Sequence, residues 1–268
     1  MTISAVIHVF NERDFIEPCL KSLGWVDEIV IIDQGGSDGG IEICKSYTQR
    51  IVPHPPVPVV EMARNFGIEQ ASGDWILVLD PDERVSGKLA STLRDVSESS
   101  SADAYSLARS TWIFGREIRH TGWNSDSQVR FFKRGKVRWP QQVHSLPEIA
   151  GVVASIDASQ GCIVHENYVS LTQFLDKLNR YTTDEALRLR RENRPFHFLK
   201  LFYQPAREFF SRFIKCKGYK DGFVGFLLSL LMAFYWQMTY MKLWESYDIE
   251  KRSNPDQADE LGVCDSKL

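Results

Sequence analysis

An unbroken apolar run from Trp75 to Leu79 is the feature that most constrains the fold of this chain, and it stops at an acidic residue, Asp80. Runs of this kind, with no polar residue in alternation, are typical of a strand that is covered on both faces. Such strands belong mainly to parallel sheets with helices on either side. The run therefore predicts an α/β domain with acidic residues at the carboxyl end of a buried strand.

The chain before this run alternates between strand-like and helical patterns. Strands are predicted over residues 3–10, 28–32 and 51–52, and helices are predicted after the first two strands and over residues 62–71. Alternation of this kind predicts a parallel sheet, in which ligands bind outside the carboxyl ends of the strands. The polar residues that follow these strands are therefore candidates for a binding site.

The rest of the chain changes pattern twice. Short, aromatic-rich strands are predicted from residue 104 to about residue 165, and the chain beyond Leu171 has a helical pattern throughout. We therefore predict a catalytic domain over residues 1–170 and a helical region over residues 171–268. An apolar fraction of 43% and a charged fraction of 25% exclude general disorder.

The cysteines and the N-terminus bear on the compartment. The five cysteines are far apart and include no Cys-x-x-Cys pair, so we expect reduced thiols rather than a zinc knuckle or a disulfide framework. The apolar run at residues 3–9 is short and is followed at once by charged residues, which favours a first strand over a signal peptide. Both observations predict a cytoplasmic protein.

The acidic turn, Asp80-Pro81-Asp82, is the first candidate for chemistry. Two carboxylates one residue apart can clamp Mg²⁺ or Mn²⁺ and leave coordination positions open for diphosphate oxygens. A bound cation neutralises the charge that develops on a departing nucleoside diphosphate. The alternative is an acidic loop without function. The position of the acidic turn after a buried strand, with Asn11, Glu12 and Asp33 after neighbouring strands, favours a metal site.

Other nucleotide and phosphate chemistries fit the sequence less well. Phosphatases of the haloacid dehalogenase type also use Asp-x-Asp after an apolar strand, but their motif continues with Gly-Thr where Glu83-Arg84 follows here. The glycines at residues 35–40 do not form Gly-x-Gly-x-x-Gly, and no Walker A sequence is present. A dinucleotide-binding domain and a P-loop are therefore not predicted.

Four segments carry a specific resemblance when they are taken in order, and they lie at residues 9–12, 31–38, 63–67 and 73–83. Together they resemble the family 2 glycosyltransferases, which have the GT-A fold. The nearest subgroup is similar to the bacterial lipopolysaccharide core β-1,4-glucosyltransferases. The likeness continues through Trp123, through Arg130-Phe131-Phe132 and into residues 217–222, so it covers most of the chain. It implies a Rossmann-like, mostly parallel nucleotide-sugar-binding sheet with a helical C-terminal extension.

The resemblance assigns roles to individual residues. Asp80 and Asp82 would hold Mg²⁺ or Mn²⁺, and either His144 or His165 would complete the metal shell, although each is also explained as an ordinary hydrogen-bonded histidine. Gln34 and Gly36 stand at positions where the family more often has small hydroxyl residues. The conformation of the local turn is therefore not implied by the resemblance. The residues that would bind the nucleotide-sugar are Val9, Asn11, Glu12, Asp33, Arg64 and Asp80.

Inverting sugar transfer needs a base that takes the proton of the acceptor hydroxyl. Asp126 is the candidate, because it follows a Gly-Trp turn and precedes a strand, as the catalytic carboxyl group of the family does. An aspartate paired with an arginine is the alternative for this position. Glu83 is the second candidate for the base. Asp38 is equally well explained as a helix cap and as a ligand.

The C-terminal region mixes basic and aromatic residues, and it contains 20 uncharged positions between Asp221 and Lys242. That length permits a membrane-spanning helix, but polar residues dilute the segment. Peripheral attachment to an anionic membrane surface is therefore preferred over an oligomer or packing helix and over a true span. The residues expected at the membrane are Arg207, Phe210, Arg212, Phe213, Lys215 and Lys217.

Taken together, these features predict an enzyme that transfers a hexose, with glucose as the expected sugar, from a UDP-sugar to a lipid-linked glycan such as the lipopolysaccharide inner core. It would act on the cytoplasmic face of the plasma membrane, without a nucleic-acid partner, and oligomer formation stays open. A polyprenyl-phosphate glycosyltransferase is the alternative among enzymes. A catalytically silent, membrane-associated scaffold with the same fold is the alternative of another class.

Overall fold

A computed structural model of the protein describes residues 1–99, 101–123, 126–140 and 146–253, with side chains as far as Ile249. The strands are β1 (Ile3–Val9), β2 (Glu28–Asp33), β3 (Ile51–Pro53), β4 (Trp75–Leu79), β5 (Glu83–Val85), β6 (Ala104–Ile113), β7 (Arg116–Ile118), β8 (Ser127–Lys133), β9 (Val137–Arg138), β10 (Glu148–Ile149), β11 (Val153–Ile156) and β12 (Ile163–Tyr168). The helices are α1 (Arg13–Lys21), α2 (Gly40–Cys44), α3 (Glu61–Gln70), α4 (Gly87–Ser99), α5 (Leu171–Arg191), α6 (Lys200–Phe210) and α7 (Gly222–Ser253).

Two compact units divide the described residues. The first unit comprises residues 1–112 and 126–167, and the second comprises residues 113–123 and 168–253. Beyond Leu171 all of the described secondary-structure elements are helices, as the sequence predicts, and a loop at residues 192–199 joins α5 to α6. The short segment from Ile113 to Trp123, which the sequence places with the strands, groups with the C-terminal helices instead. A domain boundary at residue 170 stays a prediction.

The first unit is built on a sheet whose first four strands run parallel in the order β3-β2-β1-β4. Val9 pairs with Asp33, and Ile7 pairs with Leu79, so the carboxyl ends of β1, β2 and β4 lie at one edge of the sheet. All five residues of β4 are buried, and Trp75 stacks on Phe131 with ring centroids 4.7 Å apart. The strand covered on both faces, which the sequence predicts at this position, is therefore confirmed.

Antiparallel strands extend the sheet beyond β4. The order continues as β4-β8-β6-β12-β5, and β8 runs antiparallel to both β4 and β6. Directly after the acidic turn, β5 pairs antiparallel with β12, so that His165 lies opposite Glu83. A residue more than eighty positions downstream is thereby placed beside the end of β4, because β12 returns to the same part of the sheet.

The second unit is a helical assembly around the apolar face of α7. Val224, Leu228 and Leu231 of α7 pack with Phe174 and Leu178 of α5 in one buried cluster. The α5 helix begins at an N-cap, Ser170, whose hydroxyl oxygen accepts a hydrogen bond from the backbone N–H of Gln173 at 3.2 Å. Between α6 and α7 the chain forms a π-helical turn (Ser211–Lys215) and a 3₁₀ turn (Gly218–Asp221).

One segment of the second unit, residues 218–249, is long and apolar enough to cross a membrane by length and composition. The buried core helix of a soluble protein can have the same length and composition. An 18-residue stretch of this segment has a mean hydropathy of 1.4, and 39% of that stretch is buried inside the protein.

Candidate active site

The acidic turn is closed by two hydrogen bonds across its ends. The backbone N–H of Glu83 donates to the carbonyl oxygen of Asp80 at 2.9 Å, and the backbone N–H of Asp80 donates to Glu83 Oε2 at 3.0 Å. Glu83 has no exposed surface. The turn is therefore a rigid junction between β4 and β5, and it holds the carboxylates of Asp80 and Asp82 at the carboxyl edge of the sheet.

Asp80 lies between two buried guanidinium groups. Arg64 of α3 donates from Nη2 to Asp80 Oδ1 at 2.9 Å, and Arg130 of β8 donates from Nη2 to Asp80 Oδ2 at 2.7 Å. Burial raises the pKa of Asp80, but the charges and hydrogen bonds of Arg130 and Arg64 outweigh it and hold that pKa far below its usual range. Asp80 is therefore a permanent anion, and Arg64 already contacts the acidic turn.

Asp82 faces a histidine instead of an arginine. The Nε2 atom of His165 lies 3.4 Å from Asp82 Oδ2, and the backbone N–H of Glu166 donates to the carbonyl oxygen of Asp82 at 2.9 Å. The other ring nitrogen of His165, Nδ1, is buried and has no hydrogen-bond partner among the described residues. The structure thus brings His165 to the acidic turn, whereas His144 lies outside the described residues.

A divalent cation fits these donors only with help from a ligand. Asp80, Asp82 and His165 supply carboxylate oxygens and an imidazole nitrogen, which suit Mg²⁺ or Mn²⁺. Within the described part of the chain, however, no group of three or more His, Cys, Asp or Glu side chains could hold a metal ion unaided. These donors would therefore hold a cation only if a bound ligand or water supplied the remaining coordination.

The ends of β1 and β2 form a second part of the same edge. The backbone N–H of Gln34 donates to the carbonyl oxygen of Val9 at 3.0 Å, and the N–H of Gly35 donates to Asp33 Oδ1 at 2.8 Å. Asn11 has a positive φ of 58°, and its Oδ1 accepts from the N–H of Ser37 at 2.7 Å. The turns after the two strands are therefore hydrogen-bonded to each other.

Gly36 is required by this arrangement. A Cβ atom at Gly36 would lie 2.7 Å from the backbone nitrogen of Asn11, a distance that real Cβ atoms essentially never show. The departure from the family's small hydroxyl residue therefore has a local steric reason, because the loop after β2 passes directly against the loop after β1. Asp38 in the same loop accepts from the N–H groups of Arg13 at 2.7 Å and Gly40 at 2.9 Å, at the starts of α1 and α2.

Glu12 has an unusual electrostatic environment. Its carboxylate accepts a hydrogen bond from the backbone N–H of Phe10. Burial, followed by the nearby charges of Asp38, Asp82 and Asp80, raises the pKa of Glu12 to about 7. Glu12 is therefore close enough to the acidic turn to feel its charge.

Arg109 of β6 joins the two candidate bases. Its Nε and Nη2 atoms donate to Asp126 Oδ1 and Oδ2 at 2.8 and 2.7 Å, and its Nη1 atom donates to Glu83 Oε1 at 3.1 Å. Burial raises the pKa of Asp126, but the hydrogen bonds and charge of Arg109 exceed that effect, so the pKa is lowered overall. Asp126 is thus the arginine-paired aspartate that the sequence left as an alternative, although pairing does not prevent it from acting as a base.

Glu83 is the less suitable of the two candidates. Besides Arg109, Arg130 donates to its Oε1 atom at 3.2 Å, and its side chain has no exposed surface. The side chain of Asp126 is 47% exposed. A carboxylate that takes a proton from an acceptor must reach that acceptor, and this favours Asp126.

A cavity of about 510 Å³ lies beside these groups. Trp139 is 5% exposed at its wall, and Asn65 pairs with the Trp139 backbone at 2.7 and 2.9 Å, so Trp139 serves packing more than sugar stacking. The cavity brings Asp126 together with the two arginines that hold Asp80. Its lining residues are Glu61, Arg64, Ser106, Asp126, Ser127, Gln128, Val129, Arg130, Trp139, Leu146, Pro147 and Ile149.

Sequence reasoning missed the roles of Arg109 and Arg130. Both are arginines inside strands, β6 and β8, and Arg130 stands between Val129 and Phe131. Buried charges are almost always paired, so an arginine inside a predicted strand signals that a carboxylate lies opposite. This signal was present in the sequence, but it does not reveal which carboxylate is the partner.

The predicted membrane residues divide into two groups. Arg207, Phe210, Lys215 and Lys217 are exposed. Arg212 donates to Glu208 at 2.6 Å and to the carbonyl oxygen of Thr121 at 2.9 Å, and the ring of Phe213 stacks on that of Phe209 with centroids 5.5 Å apart. Arg212 and Phe213 therefore have internal packing roles, which the sequence pattern did not separate from surface exposure.

Comparison with known proteins identifies the family. The model of glycosyl transferase family 2 matches residues 4–153, which is more than half of the 268 residues, and the chain therefore belongs to that family. The family assignment and the GT-A-like α/β fold with a helical C-terminal extension, both predicted from the sequence, are confirmed. The chain is accordingly a glycosyltransferase enzyme.

Individual relatives differ in how much of the chain they match. The lipopolysaccharide core biosynthesis glycosyltransferase LpsC of Rhizobium meliloti (strain 1021) is 27% identical over 267 residues, which are 96% of this chain and 97% of that protein. The undecaprenyl-phosphate 4-deoxy-4-formamido-L-arabinose transferase of Edwardsiella ictaluri (strain 93-146) is 36% identical over 95 residues, which are 30% of this chain and 29% of that protein. The crystal structure of glucosyl-3-phosphoglycerate synthase from Mycobacterium tuberculosis, in complex with Mn²⁺ and UDP-glucose, matches 42% of this chain and 44% of that chain, with 23% identity and a TM-score of 0.34.

Proposed function

We propose that this protein transfers a hexose, with inversion, from a UDP-sugar to the glycan of a lipid-linked acceptor, namely the lipopolysaccharide core. The acidic turn carries the proposal, because it places Asp80 and Asp82 at the carboxyl ends of the parallel strands, with His165 beside Asp82. The relative that is similar over 96% of the chain is named for lipopolysaccharide core biosynthesis, which supports the acceptor.

The donor nucleotide is proposed to bind at the ends of β1 and β2. Asp33 uses Oδ1 for the N–H of Gly35 and has no hydrogen-bond partner for Oδ2 among the described residues. That oxygen can accept a hydrogen bond from the N3–H of uracil. Asn11 and Glu12 lie in the adjoining loop, where Glu12 can accept a hydrogen bond from a ribose hydroxyl. Val9 pairs with Asp33 at the end of β1.

The diphosphate is proposed to lie at the acidic turn. Asp80, Asp82 and His165 would hold Mg²⁺ or Mn²⁺, which would supply positive charge to offset the charge on a departing UDP. Arg64 and Arg130 keep Asp80 ionised and in place, and Arg64 adds positive charge near the diphosphate. The buried arginines therefore act on the donor site through Asp80.

Asp126 is proposed as the base that accepts the proton of the acceptor hydroxyl. Arg109 binds both oxygens of Asp126, which orients the carboxylate and keeps it deprotonated at neutral pH. The cavity beside Asp126 has room for part of a glycan. Arg109 is a positioning residue in this scheme, because it acts on the acceptor through Asp126.

The test is a transfer assay with purified protein, a panel of UDP-, GDP- and ADP-hexoses, and a lipopolysaccharide core acceptor. Transfer from UDP-glucose to the core glycan, with the product in the inverted configuration by NMR, is the expected result. Failure to transfer or hydrolyse any sugar nucleotide with Mg²⁺ or Mn²⁺ would contradict the proposal and favour the silent scaffold.

A polyprenyl phosphate is the second candidate acceptor. It is favoured by the similarity of 95 residues to an undecaprenyl-phosphate sugar transferase. The two acceptors give products that partition differently, since a polyprenyl-phosphate sugar is extracted into organic solvent under conditions that leave core oligosaccharide in water. Radiolabelled sugar in the organic phase would therefore identify the second candidate.

A further inference from the structure

Six aromatic rings form one continuous patch on the second unit. Phe209 contacts three other rings at centroid distances of 5.5 to 5.8 Å, and Phe213 contacts Phe226 and Tyr219 at 5.8 and 6.3 Å. Phe223 joins the patch through Phe226 at 6.4 Å. We call this the aromatic patch, and its members are Phe209, Phe210, Phe213, Tyr219, Phe223 and Phe226.

Four of these rings are exposed to an extent that a soluble surface rarely shows. Phe223 is 73% exposed, Phe210 is 62%, Tyr219 is 50% and Phe226 is 41%. Large contiguous apolar surfaces mark protein–protein or membrane interaction sites. Phe209 and Phe213 lie beneath the exposed rings as partly buried support, so the patch is built from packed side chains.

Basic side chains lie around the aromatic patch. Arg207 and Lys215 line the same surface hollow as Phe210 and Ile214, and Ile214 is itself 55% exposed. Lys217 and Lys220 flank Tyr219 in the sequence, and both are exposed. Glu208 also lines the hollow, but it is paired with Arg212 at 2.6 Å. The rim of the patch is therefore positively charged.

We propose that the aromatic patch docks on the surface of an anionic phospholipid bilayer. Exposed aromatic rings insert at the boundary between headgroups and acyl chains, while basic residues at the rim bind anionic headgroups. Charge complementarity decides between this occupant and a second copy of the chain, since two copies of the patch would bring like-charged rims together.

The same observation gives α7 an orientation. Phe223, Phe226, Leu230 and Phe234 are exposed at helical spacing, while Val224 and Leu228 are buried within the unit. If α7 crossed a bilayer, α5 would be drawn into the hydrocarbon core with it, and α5 carries charged residues along its whole length that are costly there. The α7 helix therefore lies along the bilayer surface, with its exposed face towards the lipid, and does not cross the bilayer.

Sedimentation of the full chain with vesicles tests the proposal without any substrate, so its outcome is independent of the proposed function. Vesicles of phosphatidylglycerol and phosphatidylethanolamine are expected to bind the protein, and vesicles of phosphatidylcholine to bind it much more weakly. Each basic residue near an anionic surface contributes about fivefold to binding. We expect Lys215→Gln/Lys217→Gln to weaken binding by roughly tenfold or more, and Phe210→Ser/Phe223→Ser to abolish most of it.

Matched controls come from α5 of the same unit. Leu187 is 50% exposed, and Arg191 is an exposed basic residue, so Leu187→Ser/Arg191→Gln makes a similar change away from the patch. This control is expected to bind as the unchanged protein does, and circular dichroism checks that every variant folds. Equal binding by the patch variants and the control would overturn the proposal. Self-association that the Phe210→Ser/Phe223→Ser change abolishes, without vesicle binding, would also overturn it and identify a second copy as the occupant.

Discussion

Asp80 and Asp82 are separated by one residue, yet their surroundings give them different tasks. Arg64 and Arg130 hold both oxygens of Asp80, whereas Asp82 has a histidine 3.4 Å away and is 27% exposed. A carboxylate bound by two buried guanidinium groups stabilises the fold as well as the site. The less constrained carboxylate, Asp82, is the better placed to change partners when a cation and a diphosphate bind.

Replacing each of the two aspartates is expected to lower the stability of the protein by a different amount. Asp80→Ala removes the carboxylate that Arg64 and Arg130 share, and leaving a buried charge without its partner costs about 3 kcal/mol or more. Asp82→Ala removes a partly exposed group and costs less than about 1 kcal/mol. Urea denaturation measures both changes. Equal losses of unfolding free energy would contradict the roles assigned to the two residues.

Arg109 lends itself to a test by pH profile. Arg109→Lys keeps the charge but loses the fork that binds both oxygens of Asp126, so the pKa of Asp126 rises towards its usual value. Asp126 must be ionised to act as a base. As the pH is lowered, the kcat/KM of the variant is therefore expected to begin to fall at a higher pH than that of the unchanged protein. We expect kcat at neutral pH to fall about tenfold, with UDP affinity unchanged.

The control for this profile is Arg94→Lys, because Arg94 also binds a carboxylate, Asp27 Oδ2 at 2.8 Å, but outside the site. In the Arg94→Lys protein, the fall of kcat/KM at low pH is expected to match that of the unchanged protein. An Arg109→Lys profile with no shift, combined with unaltered kcat, would show that Asp126 does not act as the base.

At the scale of elements, the first four strands were predictable because their signals are local. The apolar run of β4, the glycines after β2 and the helix patterns between strands are each contained in a short stretch of sequence. The pairing of β5 with β12 was not predictable, because it joins residues more than eighty positions apart. For the same reason the sequence proposed His165 as a metal candidate only by resemblance, and it assigned no partners to Arg109 and Arg130.

The segment at residues 217–222, which belongs to the resemblance, has a structural explanation at this scale. Asp221 accepts hydrogen bonds from the N–H of His120 at 2.9 Å and the hydroxyl of Thr121 at 2.8 Å, and so holds the turn before Trp123 against the start of α7. A Cβ atom at Gly225 would lie 1.9 Å from the carbonyl oxygen of Gly218. Gly225 therefore permits a close contact between the 3₁₀ turn and α7.

Gly225→Ala is expected to destabilise the protein by about 1–3 kcal/mol, since a clash with backbone can be relieved only by moving the turn or the helix. Gly87→Ala, at the start of α4, is the matched control, because a Cβ there has no neighbour within 4 Å. Thermal unfolding followed by circular dichroism compares the two. A Gly225→Ala protein as stable as the Gly87→Ala protein would contradict the close contact.

At the scale of the whole molecule, the chain combines a family 2 catalytic fold with a helical region that presents a basic, aromatic surface. The family was predictable from four ordered segments, because they lie at strand ends where the fold places its ligands. The aromatic patch was predictable only in part: the composition indicated membrane affinity, but which rings are exposed depends on how α6 packs on α7. The grouping of residues 113–123 with the helices was not visible in the sequence at all.

In the proposed reaction the acidic turn binds a divalent cation together with the diphosphate of the donor. This binding is measured by isothermal titration calorimetry of UDP, with Mn²⁺ present and with EDTA in its place. We expect UDP to bind at least about tenfold more tightly with Mn²⁺ than with EDTA. Asp82→Ala is expected to remove that difference. Asp157→Ala, which changes an exposed aspartate of the same unit, is expected to retain it. UDP affinity that is the same with Mn²⁺ and with EDTA would contradict a metal site at the acidic turn.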